Sequence, residues 1–425
     1  MNTTRRAGLL VFLLALFVYT VPLMFNALIT PFFHAIPSQD VVSASLVPTS
    51  LLTRGNFYLD QYRRYISNHY PEPYFVDDVE GHLVSRYPVM AGVLALPFEG
   101  AGFGSGWIAR TDNVFDVAKL AAAFISAAAV LAFFFCARQL ADTSTSVLAT
   151  VAFAFGTSVW TTASQGLWQH TPSILFQLLA IGFLLRGEHS GKSAAPAGLF
   201  LSLAVVSRPT VLAIAAILGL YLVLYLRRSF WGALVLALPP LLLTVWYNAA
   251  VNGSPFVFGY QEGVWQQFAF PSWESIQGLL FSPSRGIFVL SPFLLLAPLG
   301  LWQGWIRERH PFYAFLAAAF LLYTGIMAAW GSLGGWAYGA RMLTDALPAI
   351  CLLLVPILTQ IRGWLRAPWW ALVVFSIFIQ SLGLWDYGVR FHADPANSVW
   401  SIENNEPLFY LRLYFTMFQQ FLGRA

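Results

Sequence analysis

Apolar residues recur along this chain in blocks of about 18 to 24, separated by short polar or charged stretches. Wound as a helix, such a block is long enough to cross roughly 30 Å of hydrocarbon. The backbone must satisfy its own hydrogen bonds there, so the blocks are expected to be helical. A membrane barrel would instead alternate in strands of about ten residues, and none is visible. The pattern places spans at 7–29, 114–136, 144–163, 171–185, 194–207, 209–226, 230–249, 286–304, 311–329, 345–361 and 368–386, about eleven in all. Ser207-Arg208-Pro209 interrupts the pair at 194–207 and 209–226, leaving open one broken or re-entrant helix or two full crossings. The expected fold class is an all-α polytopic membrane protein, with residues 1–425 forming a single transmembrane unit.

The polar segments are unequal. A long first loop covers 30–111. Within it a helix is expected from Asp40 to Arg54, then a polar aromatic stretch through Tyr74. Tyr87 to Phe98 follows, apolar but too short to cross, and is expected to lie on or dip into the membrane surface. Further loops run over 251–285 and 330–345, and a tail over 387–425 ends in an aromatic amphipathic stretch, Leu408 to Phe421.

Composition reinforces the membrane reading. Hydrophobic residues make up 58% of the chain and charged ones only 10%, with a mean hydropathy of +0.65. An average soluble chain is about a quarter charged, so a soluble fold would lack the charge to cover its surface. Cys136 and Cys351 fall in or beside spans and offer neither a disulfide framework nor metal-ligand spacing. The net charge of +4 is scattered, so no nucleic-acid partner is expected. Arg5-Arg6 before an apolar run resembles a secretory signal, but the run from Ala7 to Ile29 is long and no small-residue site closes it. It reads as a retained first span.

Charge also orients the chain. With the N-terminus inside, the short inner loops hold Arg5, Arg6, Arg138, Arg186, Lys192, Arg227, Arg228, Arg307, Arg309, Arg362 and Arg366. Their acids are Asp142, Glu188 and Glu308. An excess of Lys and Arg in short loops marks the cytoplasmic side. The protein is thus expected in the cytoplasmic membrane, its N-terminus cytoplasmic and its long loops extracytoplasmic.

Candidate chemistry gathers on that outer side. Asp40, in Pro37-Ser-Gln-Asp40, follows the first span and suits a general base. Its plain alternative is a helix cap, since Asp is a preferred N-cap residue. Asp60 sits in an aromatic stretch, and Asp77-Asp78-Val-Glu80 is either a cation site or simply solvated. Arg86, Lys119, Arg208, Arg285 and Arg341 map to span ends or membrane-proximal segments. Charges at such depths usually face a cavity. Arginines converging there would hold a phosphate in bidentate fashion, and the alternative is snorkelling to the interface. His170, Trp336 and Tyr338 lie in Gly- and aromatic-rich strings suited to a sugar ring, or equally to structural and interfacial roles.

These strings and their order resemble the GT-C membrane glycosyltransferases, in particular the bacterial branch of protein mannosyltransferases and lipopolysaccharide-modifying glycosyltransferases. Gln39-Asp40-Val-Val-Ser-Ala-Ser-Leu-Val-Pro48 and the following stretch to Asp60 resemble that family's first-loop acidic motif and juxtamembrane helix. Ser85-Arg-Tyr-Pro88 leading to Leu-Ala-Leu-Pro97 resembles its second amphipathic segment, and the strings around His170, Arg208, Arg285 and Arg341 are also similar. The resemblance implies a GT-C-like bundle with amphipathic juxtamembrane helices in the first outer loop. It further implies a polyprenyl-phosphate sugar donor, an inverting transfer, and Asp40 as base. Arg208, Arg285, Arg341 and Lys119 would then hold the donor phosphate, and Asp60, Arg86, His170, Trp336 and Tyr338 would line the pocket. A glycan, a lipid or a protein would be the acceptor, and no metal or other cofactor is demanded. Where relatives often carry a second acid or a preceding Gly, this chain has Gln39 and Val41. A non-catalytic assembly protein of the same fold therefore stays open, as does a lipid-linked sugar flippase.

Overall fold

The computed structural model describes residues 3–28, 38–108, 111–257, 268–335, 337–385, 389–393 and 397–422. Helices α1 (Thr3–Leu28), α5 (Thr111–Leu140), α6 (Thr143–Phe155), α7 (His170–Ser190), α8 (Pro196–Ser207), α9 (Leu212–Tyr225) and α10 (Phe230–Val251) build the first part of the bundle. Short helices α2 (Val42–Arg54), α3 (Arg63–His69) and α4 (Met90–Gly104) fill the loop between α1 and α5, together with a hairpin, β1 (Val76–Val79) and β2 (His82–Ser85). After α10 come α11 (Trp273–Phe281), α12 (Ile287–Leu290), α13 (Ala297–Leu301), α14 (Phe312–Ala329), α15 (Leu347–Leu353), α16 (Val355–Leu358), α17 (Arg366–Leu382), α18 (Val389–Ala393) and α19 (Glu406–Leu422).

The protein is an all-α membrane protein in outline. Among the described residues, five helices are long and apolar enough to cross a bilayer: Thr3–Met24, Asn113–Leu140, Arg227–Val251, Phe312–Ala329 and Gly363–Leu382. The other segments read from the sequence as spans are helical too, but are shorter, interrupted or, in the 21-residue α7, less apolar. The stretch 286–304, for example, is divided among α12, a 3-10 turn and α13.

Two clusters of polar side chains mark opposite ends of the bundle. His170 starts α7 and meets Asp345, whereas Glu188, near the end of α7, accepts from Tyr221 at 2.6 Å and lies 3.7 Å from His310. Eighteen residues of helix separate the two, about 27 Å at the usual rise. The same ends explain the interrupted pair. The Ala194 N–H donates to Ser229 at the Glu188 end, while Arg208 contacts His170 at the other. Thus α8 and α9 are two helices that reverse at Arg208. Pro209 enforces the reversal by holding Arg208 in an extended conformation, φ −150 and ψ 105.

The first loop is a packed platform. The expected helix from Asp40 forms as a 3-10 turn, Gln39–Val41, running into α2. Helix α4 lies so close to α2 that a Cβ on Gly92 would sit 2.6 Å from the Ala44 carbonyl, so only glycine allows the approach. The polar stretch after Asp60 contains a hairpin that the residue pattern did not announce. Its strands pair antiparallel with Val76 opposite Ser85. Its two-residue turn uses Glu80 and Gly81, both at positive φ, and Glu-Gly is a weaker turn signal than Asn-Gly or Asp-Gly. Ser85 donates to Ser43 of α2 at 2.9 Å, which fixes the hairpin against the platform.

Candidate functional site

The site begins with a cap. Ser38 is extended, and its hydroxyl accepts from the Asp40 N–H at 3.3 Å. The capping role considered for Asp40 thus falls to Ser38, and the Asp40 carboxylate points elsewhere. It accepts from Arg341 in an ion pair and from the Tyr87 hydroxyl at 2.9 Å. Tyr87 follows directly after the hairpin, so the platform fold delivers it. Asp40 and Arg341 remain 18% and 15% exposed, enclosed but reachable.

Burial alone would raise the Asp40 carboxyl. The charge of Arg341, with hydrogen bonds from Arg341, Tyr87 and Tyr74, outweighs it and holds the group below the usual carboxylate range. Asp40 is therefore ionised at neutral pH. Its negative charge also lies in the first turn leading into α2, where a helix favours anions.

Arg341 is presented by a glycine-rich loop. Gly335 and Gly339 have φ of 55° and 68°, which let the chain fold back tightly before the 3-10 helix Arg341–Ala346. The Arg341 guanidinium also donates to the Gly334 carbonyl at 3.0 Å and lies 4.7 Å over the Trp168 ring. That stacking adds a cation–π attraction and fixes the plane of the fork.

The same 3-10 helix carries Asp345, the fully buried centre of a second group in which Arg208 stays 13% exposed. Its Oδ2 lies 2.6 Å from His170 Nδ1, 2.9 Å from Arg208 Nε and 2.9 Å from the Tyr323 hydroxyl. Arg208 Nη1 lies 3.3 Å from His170 Nε2, and Trp168 bridges towards Arg341 with its ring 6.3 Å from that of His170. Residues from α7, α14, the α8–α9 reversal and the 3-10 helix thus converge on one carboxylate. A buried acid at this depth is tolerable because three donors, one of them a guanidinium, converge on its Oδ2.

Of the residues singled out from the sequence, the fold brings Asp40, Arg341, His170 and Arg208 together. Others lie in different surroundings. Arg285 is almost fully enclosed, with Nη1 2.9 Å from Glu406 Oε2 and hydrogen bonds to the carbonyls of Gly335, Ala337 and Gly339 and to His392. Tyr338 is buried and donates to the Ile379 carbonyl at 2.6 Å. Lys119 is buried on α5 with Asp116 as its electrostatic partner. Arg86 pairs with Asp77 of the hairpin. Asp60 accepts from the Leu83 N–H at 2.7 Å, with His82 Nδ1 2.6 Å away, in an exposed network with Arg63. Burial alone would raise the Asp60 carboxyl, but His82, the Leu83 amide and Arg63 together outweigh it and hold it low. Trp336 lies outside the described residues.

Asp345, Tyr323, Tyr87 and Glu406 were not picked out as functional from the sequence. Asp345 stood there only as a span boundary. An Arg-x-x-x-Asp spacing at the mouth of a span is the signal that could have flagged it. No protein-family model matches the chain, and the search of curated proteins returns no match.

Proposed function

We propose that this protein is a membrane glycosyltransferase that moves a sugar from a polyprenyl-phosphate donor to the hydroxyl of a glycan, lipid or protein. The observation that carries the reading is the Asp40–Arg341 pair: a carboxylate and a guanidinium side by side, partly exposed, at one end of a bundle with helices long and apolar enough to cross a bilayer. Glycosyl transfer needs a base and a cation at the same place. By the charge of the loops, that end of the bundle is the extracytoplasmic side of the cytoplasmic membrane. A lipid-borne donor reaches such a site within the leaflet, whereas a cytosolic nucleotide sugar does not.

In this reading the acceptor hydroxyl gives its proton to Asp40 as its oxygen bonds the anomeric carbon. The bond from that carbon to the phosphate oxygen breaks, and its electron pair leaves on the phosphate. Attack opposite the leaving group inverts the centre. Arg341 and Arg208 supply positive charge where negative charge gathers, which is usually the largest electrostatic contribution to such a step. Phosphate drawn to Arg341 also weakens that residue's hold on Asp40, so the base strengthens as the donor binds. His170 and Tyr323 orient Asp345, which fixes Arg208. Arg285 holds the glycine loop that presents Arg341.

The test is transfer of label in membranes containing the protein and fed a radiolabelled polyprenyl-phosphate sugar pool. Asp40→Asn is expected to slow transfer by about 10²–10⁴-fold, the usual worth of a general base. Undiminished transfer by that variant removes Asp40 as base. Label that crosses the bilayer without a new glycosidic bond indicates a flippase instead. No transfer by the unaltered protein with any pool indicates a non-catalytic assembly role.

A further inference from the structure

Helix α19 presents three different faces. At about 100° per residue, Leu408, Leu411, Phe415, Phe418 and Leu422 fall on one arc about 80° wide. All five are exposed, Phe415 by 61% and Phe418 by 58%. Arg412, Thr416 and Gln419 occupy the next arc and are exposed as well. The remaining side faces the protein over the first turns of the helix, whereas Met417 and Gln420 further along it are exposed. On those first turns Glu406 and Tyr410 are buried, and Tyr414 donates to the Leu382 carbonyl at 2.9 Å. A helix that only capped the bundle would need two faces, one inward and one polar.

Its position explains the third. Leu382 ends α17, one of the helices long and apolar enough to cross a bilayer. Helix α19 therefore lies where α17 reaches the limit of the hydrocarbon. Val374, Phe375 and Phe378, exposed on α17, form a lipid-facing surface leading to that level. Tyr410 stacks edge-on against Tyr338, and Glu406 pairs with Arg285, so α19 sits at the same end of the bundle as Asp40 and Arg341.

We infer that α19 is an interfacial helix whose stripe from Leu408 to Leu422 inserts into the leaflet on the side of the site, with Arg412, Thr416 and Gln419 at the headgroup level. The occupant of the stripe is phospholipid: α19 docks through Tyr414 at the end of α17, whose exposed Val374, Phe375 and Phe378 are apolar, and a polar arc at the stripe's flank is the arrangement an interface helix requires. The inference is independent of the chemistry proposed for Asp40. It makes the C-terminal helix a float that sets the depth of the site.

The experiment uses the full-length protein in phosphatidylcholine–phosphatidylglycerol vesicles, with single nitroxide labels on cysteines at Leu411, Phe415 and Phe418 and at Arg412, Thr416 and Gln419. Cys136→Ala and Cys351→Ala supply the background. If that background folds poorly, the native chain serves, because both native thiols are buried. Collisions with oxygen relative to a water-soluble nickel chelate are expected to be several-fold more frequent at the first three positions than at the second three. With a bimane fluorophore in place of the nitroxide on the stripe cysteines, quenching by lipids carrying a shallow nitroxide should exceed quenching by lipids carrying a deep one. Equal ratios at all six positions overturn the inference. So do stripe labels shielded from both reagents, which would place a protein partner or a second copy on that face.

Discussion

Asp40 and Arg341 stand 301 residues apart in the chain and meet as an ion pair. Neither comes from a long apolar helix. Asp40 is set by a Ser38-capped turn entering α2, and Arg341 by the turn that follows the glycine loop. The pair thus ties the first-loop platform to the C-terminal half of the bundle, and its chemistry and its contribution to stability can be separated.

Arg341→Gln removes the charge that offsets the burial of Asp40, so its carboxyl should rise. A depressed carboxyl contributes stability above its unfolded pKa and loses it as pH falls through the folded value. The unaltered protein should therefore lose stability towards acid, and the variant should have lost that part already at pH 7. The loss should lie between the roughly 1 kcal/mol of an exposed pair and the about 3–5 kcal/mol of breaking an enclosed one. Scanning fluorimetry in detergent at pH 7 and at about pH 3, below the unfolded aspartate value of about 3.9, measures it. The double variant Asp40→Asn with Arg341→Gln should cost less than the two singles summed, and simple additivity would show that the residues are not coupled.

Asp345→Ala leaves Arg208 and His170 facing each other without the carboxylate that holds them. A buried charge stripped of its partner costs about 3–5 kcal/mol, so the melting temperature should drop sharply. Asp345→Asn keeps the shape and part of the hydrogen bonding, and should fall between the two. If Ala and Asn melt alike, the charge of Asp345 is not what organises the group.

How far the residues alone foretold this depended on the range of each interaction. The apolar blocks that became α1, α5, α10, α14 and α17 were legible because a helix is a local object whose period and length are written in consecutive residues. So was the helix beginning at Asp40. Asp345 was not legible as a hub, because its partners His170 and Arg208 lie 175 and 137 positions away and no period links them. The hairpin hid behind a Glu-Gly turn, and its acids looked like solvated charge or a cation site. Arg285 read with the other span-end arginines as a phosphate ligand, but its surroundings depend on Glu406, a residue in a tail with no pattern pointing back.

Glu99 was hidden for a related reason. It lies inside the apolar α4, fully buried, accepting from Thr49 at 3.1 Å, and its other oxygen has no partner among the described residues. Burial pushes its carboxyl up to about 7, with Thr49 opposing only in part. The folded state then holds a proton that the unfolded chain releases. Stability from this group is complete below the unfolded value near about 4.3 and is lost as pH rises through about 7. The slope can reach about 1.4 kcal/mol per pH unit. Glu99→Gln should flatten that part of the profile and melt higher than the native chain at pH 8. A pH profile unchanged by the substitution would place the proton elsewhere.

The Arg285–Glu406 pair bears on the site through the backbone it grips. The Gly339 N–H donates to Glu406 Oε2 at 3.0 Å while Arg285 binds the carbonyl of the same residue, so the glycine loop is held from both sides. Burial pushes the Glu406 carboxyl up to about 7, opposed by Arg285 and the Gly339 amide. Glu406→Ala removes one of those grips and leaves a guanidinium enclosed without its counter-charge, at a cost of about 3–5 kcal/mol. The effect should also be local. Hydrogen exchange of the peptide containing Gly339 and Arg341 should accelerate more than that of α7 or α14, because the loop has lost an amide partner and those helices have not. Arg285→Lys, which keeps the charge but loses the fork, should accelerate the same peptide to a smaller degree. Uniform acceleration across the protein would mean that the pair supports the fold at large and does not position Arg341.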